Sequence, residues 1–161
     1  MRKTLIALFA VYLALLVWLV LWKAHVPFIG RDDMREIKLV PFTAGDGYGF
    51  NDPYEVLANL LLFVPLGIYL AVLGVRAKVP IIVGTSLALE VTQFVLATGS
   101  SDTTDLIVNT AGGLIGLLFA RVPQKPLAWV LGIGTALAIV AIVFVILSFP
   151  RMPQGGGVTI V

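Results

Sequence analysis

The sequence predicts an all-α polytopic membrane protein, a bundle of about five transmembrane helices with its N-terminus in the cytoplasm. Three observations predict it. Of the 161 residues, 59% are hydrophobic and 12% charged, where a typical soluble domain carries about 25% charged residues. A globule that apolar has too few polar groups to cover its surface, and the mean hydropathy of +1.02 agrees. The apolar residues also fall into runs of about 20, the length at which a helix crosses a hydrocarbon core of roughly 30 Å. Finally, Lys and Arg gather in short connections, as they do in loops that stay cytoplasmic.

The first span covers about 4–22, behind Arg2 and Lys3, and Lys23 and His25 close it. Its opening is like a secretory signal, but the apolar run is too long and no small-x-small cleavage site follows, so an uncleaved helix is expected. Trp18 and Trp22 suit the membrane interface. The connection 23–53 comes next, with Asp32, Asp33, Glu36, Asp46 and Asp52 and the alternating Gly45, Gly47 and Gly49. Loops this long are usually functional or unstructured. Its apolar piece, Lys38-Leu39-Val40-Pro41-Phe42, suits a return to the interface.

Spans over about 54–75 and 79–98 are separated only by Arg76, Ala77 and Lys78, so they are expected as antiparallel neighbours. A fourth, short span covers about 103–120. The fifth, about 127–149, has no ionisable residue and stops at Pro150-Arg151-Met152-Pro153. The Gly-rich tail within 150–161 reads as flexible. With the N-terminus inside, Arg2, Lys3, Arg76, Lys78, Arg121 and Lys125 lie inside, against Lys23, Arg31, Arg35, Lys38 and Arg151 outside. The short loops decide this orientation, because the charge rule is strongest there.

Composition excludes several functions. A net charge of +2 with no basic stripe argues against nucleic acid. The absence of cysteine removes disulfides, thiolate metal sites and a Cys nucleophile, and a single histidine, His25, excludes a His-rich zinc site.

Ionisable groups within spans cost roughly 2.5–3.5 kcal/mol on insertion scales and by default mark function. Glu90 and Gln93 share one face of the third span at i, i+3. Asp102 and Asp105 straddle the start of the fourth, and Asn109 follows four residues on. Asn59 lies about one turn into the second span, ahead of Phe63, Pro65 and Gly67. In the antiparallel arrangement all of these fall at the outer ends of their helices. Asn59, Glu90, Gln93, Asp102, Asp105 and Asn109 are therefore expected to meet at one depth as a ligand-binding set. Below them Gly112, Gly113 and Gly116 form a small-residue face that lets another helix approach closely. Plainer roles compete: Asp-x-x-Asp at a helix start is a capping arrangement, and Asn59 and Asn109 suit interhelical hydrogen bonds. Glu90, the deepest ionisable group, is the residue most expected to act.

The order Asn59-x3-Phe63-x-Pro65-x-Gly67, then Glu90-x2-Gln93, then Asp102-x2-Asp105-x3-Asn109-x2-Gly112 resembles the VanZ-like family. Leu39-Val40-Pro41-Phe42 looks like that family's Leu-Ile-Pro-Phe element. The resemblance covers about Lys38 to Ala120 and implies one VanZ-like transmembrane domain over 1–161. It also implies a multi-pass protein of the bacterial cytoplasmic membrane, its polar site facing the extracytoplasmic side, in a family named for low-level resistance to the glycopeptide teicoplanin. Family members usually carry an Arg about three residues before the first Asp. Here Gly99-Ser100-Ser101 stands there, so the function of that charge is either absent from this chain or supplied by Arg31, Arg35 or Lys38.

Two function classes follow. In the first, the site handles a lipid-linked or cell-wall component of the envelope, or changes how an amphipathic antibiotic meets the membrane. Its partners are membrane lipid, a lipid-linked precursor or a glycopeptide, and no cofactor is needed. In the second, an intramembrane hydrolase or transferase uses Glu90 as catalytic acid or base, with Glu90, Asp102 and Asp105 holding Mg²⁺ or Ca²⁺ through oxygen. The second lacks a nucleophile: there is no Gly-x-Ser-x-Gly elbow and no Cys, and Ser86 is the only serine on the Glu90 face. A transporter is a third option, without a visible inverted repeat. Binding is the preferred reading.

Overall fold

The computed structural model describes residues 2–23, 27–30, 35–43, 51–119 and the positions 131, 132 and 135. Four helices fill most of that length: α1 (Arg2–Trp22), α2 (Pro53–Val72), α3 (Lys78–Leu96) and α4 (Thr103–Phe119). They match the first four expected spans to within a turn at each end. α1, α2 and α3 are long and apolar enough to cross a membrane, and α4 is a shorter apolar helix. The expected fifth span, 127–149, lies outside the described residues apart from Leu131, Gly132 and Thr135, which are helical. His25, Arg31, Asp32, Asp33, the glycines of 44–50, Arg121, Lys125 and the tail 150–161 lie outside them as well.

Local sequence explains the helix ends. Asp52 caps α2 by accepting the Tyr54 N–H at 2.9 Å, with Pro53 in the first turn, where its missing N–H is not needed. α2 closes on Gly74 at φ 72, and the Val75 N–H donates to the Leu70 carbonyl at 3.0 Å. That is a Schellman closure, which favours glycine at the left-handed position. The chain turns through Arg76 and Ala77 and runs back as α3. The Lys23 ammonium meets the Glu55 carboxylate, and Gln93 Nε2 donates to the Val20 carbonyl at 3.0 Å. These contacts join the end of α1, the start of α2 and the end of α3 at one end of the bundle, where α4 also begins.

α2 and α4 form the closest helix pair, and glycine makes it possible. A Cβ added at Gly112 would sit 2.1 Å from the Leu60 carbonyl oxygen, and one at Gly116 2.1 Å from that of Val64. From the other side, a Cβ at Gly67 would meet the Gly113 carbonyl oxygen at 2.0 Å. α3 closes on the same helix, with Ile82 against Gly113. Leu16, Phe63, Leu66 and Ile82 fill the core. Ile6, Leu87, Val91, Leu114 and Leu118 point outward, an apolar surface suited to hydrocarbon and not to water.

The connection after α1 is tied down where it is described. Ile37–Lys38 (β1) pairs in parallel with Ser101–Asp102 (β2), a two-residue bridge and the only strand pairing among the described residues. The Ser101 N–H donates to the Glu36 carbonyl at 2.8 Å, and the Gly30 N–H to that of Leu96 at 2.8 Å. Beyond the bridge, the Phe42 N–H donates to Thr104 Oγ1 at 2.8 Å and Thr103 Oγ1 to the Lys38 carbonyl at 3.0 Å. The strap therefore lies across the end of α3 and the start of α4. An all-α reading does not anticipate this bridge, because its partners lie far apart in sequence and carry no local strand pattern.

Candidate functional site

Between α1 and α2 lies a cavity of about 980 Å³. Its apolar wall comes from Leu15, Leu16 and Leu19 of α1, Leu61, Leu62, Pro65 and Ile68 of α2, and Leu131. From Tyr12 to Lys23 the cavity follows α1 for roughly 16 Å at 1.5 Å per residue. That is about the hydrocarbon depth of one leaflet. At the inner end, Tyr12 Oη donates to the Leu62 carbonyl at 2.7 Å and its ring stacks on Tyr69 at 5.5 Å. Tyr69 in turn shares a hydrogen bond with Thr135 at 3.0 Å. The aromatic floor thus carries satisfied hydroxyls.

The other end of the cavity is polar. Lys23 just after α1, Asp52 at the cap of α2, Glu55 and Asn59 of α2, Gln93 of α3 and Asp105 of α4 all line it. The Asn59 amide lies within hydrogen-bonding reach of the Asp105 carboxyl. Gln93 is 4% exposed: its Nε2 is used on Val20, and its Oε1 is buried without a hydrogen-bond partner among the described residues.

The other three expected site residues stand behind that wall. Glu90 is 3% exposed, and its Oε2 accepts the Asp102 backbone N–H at 2.9 Å. Asp102 Oδ1 accepts the Thr104 N–H at 2.7 Å, and its Oδ2 accepts from Asn51 Nδ2 at 2.8 Å. Asp102 is therefore the cap of α4, and Glu90 holds that cap in place. The Glu90 Oε1 atom and both polar atoms of the fully buried Asn109 have no partner among the described residues. Asn59, Gln93 and Asp105 thus come together at the cavity, while Glu90 and Asp102 form a support behind it and Asn109 lies apart from the wall. No three Asp, Glu or His side chains among the described residues converge as a metal-binding group.

Of the basic residues named as substitutes for the family's Arg, Arg35 donates from Nε to the Phe94 carbonyl and from Nη2 to that of Val95, both at 3.1 Å. A cation there complements the C-terminus of α3. Lys38 stands opposite Asp102 in the β bridge, and Arg31 lies outside the described residues.

Sequence reasoning passed over Glu55, Lys23 and Tyr12 as parts of a site. Asp52-Pro53-Tyr54-Glu55 has the spacing of a capping box, so a signal for Glu55 at the first turn was present. Lys23 counted only as a flanking charge, and Tyr12 has no polar neighbour in α1 to single it out.

The VanZ/LLP1 family model matches residues 9–124. Protein VanZ of Enterococcus faecium is 35% identical over 124 residues, which is 73% of this chain and 74% of that protein. No solved structure matches.

Proposed function

Because this chain belongs to the VanZ/LLP1 family, we propose that it acts in the bacterial cytoplasmic membrane to lower susceptibility to teicoplanin-type glycopeptides. It does so by holding the apolar part of an amphiphile in the cavity between α1 and α2. The amphiphile is a lipid-linked cell-wall component or the lipid-bearing antibiotic itself. Its head group rests against Asn59, Gln93 and Asp105 at the extracytoplasmic surface, Glu90 and Asp102 keep the start of α4 in position, and the Glu90 carboxyl also acts on the site through Oε1, which has no partner among the described residues.

The observation that carries this reading is the shape of the cavity, a leaflet-deep apolar channel with its charged and amide side chains gathered at one end and only the hydroxyls of Tyr12 and Thr135 at the other. Ligand pockets of roughly 300–1,000 Å³ are mostly apolar with a few placed polar groups. Chemistry at the site lacks a comparable support, since Ser86 is fully buried on α3, Asp52 and Asp102 are used as helix caps and Glu55 is paired with Lys23.

Filling the cavity tests the proposal. Ala58 lines it from α2, so Ala58→Trp is expected to abolish protection when the chain is expressed in a teicoplanin-susceptible host. Val91→Trp, on the 53% exposed outer face of α3, is expected to keep it. Equal amounts of both variants in the membrane make the comparison valid. Full protection by Ala58→Trp would overturn the cavity reading.

A further inference from the structure

The polar end of the cavity presents acceptors far more than donors. Asp52, Glu55 and Asp105 bring carboxylates to the wall. Lys23 is the basic side chain that lines it among the described residues, and its ammonium is bound to Glu55. Gln93 adds an independent sign. Its Nε2 must face the Val20 carbonyl, which can only accept, and this leaves Oε1 as the atom without a partner among the described residues. A buried acceptor left without a donor costs about 1–3 kcal/mol, which a head group carrying N–H or O–H would relieve. An anionic phosphate would instead meet carboxylates and an orphan acceptor, and would lower neither cost.

This inference rests on the amphiphile reading above and narrows it. We propose that the cavity selects amphiphiles whose head groups are cationic hydrogen-bond donors, with a primary ammonium as the best match and a bare phosphate as the worst. The ammonium takes the place between Gln93 Oε1 and the Asp105 carboxyl, and the alkyl chain lies along Leu16, Leu62 and Ile68.

Binding of three probes with the same alkyl chain separates the contributions. The full chain in phosphatidylcholine nanodiscs is titrated with dodecylamine, dodecyltrimethylammonium and dodecyl phosphate, each corrected for uptake by empty nanodiscs. Charge-assisted hydrogen bonds are about twice as strong as neutral ones, so dodecylamine is expected to bind at least ~10-fold more tightly than dodecyl phosphate, a difference of about 1.4 kcal/mol. Dodecyltrimethylammonium, a cation without N–H, should fall between them. Asp105→Asn is expected to shrink the amine-to-phosphate ratio several-fold, and Ala58→Trp to remove saturable binding of all three. Phosphate binding as tight as the amine's, still lost in Ala58→Trp, would overturn the donor preference and leave the cavity reading standing. Absence of saturable binding by any probe would overturn both.

Discussion

Replacing Gly112 and Gly116 together with leucine is expected to leave no folded protein. Each α-carbon faces a carbonyl oxygen of α2, and even a methyl group would sit 2.1 Å from it. Overpacking a core usually costs about 1–3 kcal/mol because side chains can shift. A backbone oxygen inside a helix cannot rotate away, so α2 and α4 would have to separate. The separation would also open the seat of Asn109, which is fully buried on α4. The single changes Gly112→Ala and Gly116→Ala should each lower the unfolding temperature of the detergent-purified protein markedly, and the leucine pair should elute as aggregate on size exclusion. Gly84→Ala serves as the control, since nothing lies within 4 Å of the added carbon. It should be neutral or slightly stabilising, as alanine is the better helix former by about 1 kcal/mol. Unchanged stability in both single variants would mean that α2 and α4 do not pack as described.

Glu90→Gln should separate stability from function. The new amide keeps an acceptor for the Asp102 N–H, now 2.9 Å from Oε2, so the cap of α4 survives. Removal of an ionisable group from within a span relieves a cost of roughly 2.5–3.5 kcal/mol on insertion scales. The variant is therefore expected to be at least as stable as the parent, while protection against teicoplanin is lost. Glu90→Leu, which leaves the Asp102 N–H unpaired, should lose stability as well, by about 1–3 kcal/mol. A purely structural Glu90 predicts a different result, in which protection follows stability through both variants. Retained protection in Glu90→Gln would remove this carboxyl from the functional account.

Much of this architecture was legible in the sequence because a membrane imposes a simple grammar. Four helix positions followed from apolar run length, and the Gly112, Gly113 and Gly116 face foretold a close approach. The choice of α2 as the main neighbour was harder to see. Its signal is divided between Gly67 on one helix and the glycines of the other, and no local pattern joins them. The grouping of Asn59, Gln93 and Asp105 followed from topology alone, since antiparallel helices return their polar ends to one level. Depth along a helix does not determine azimuth, however. Glu90 is one turn from Gln93, yet it turns to the start of α4 while Gln93 lines the cavity. The cavity itself was invisible in sequence, because its leucines are indistinguishable from those that face lipid.

The most direct measurement is a structure of the full chain determined in lipid nanodiscs with dodecylamine added. An elongated density should lie between α1 and α2, its polar end within roughly 3.5 Å of Gln93 Oε1 or the Asp105 carboxyl and its tail reaching toward Tyr12. A cavity closed by protein side chains, or a bound amphiphile with its head at the Tyr12 end, would contradict the account.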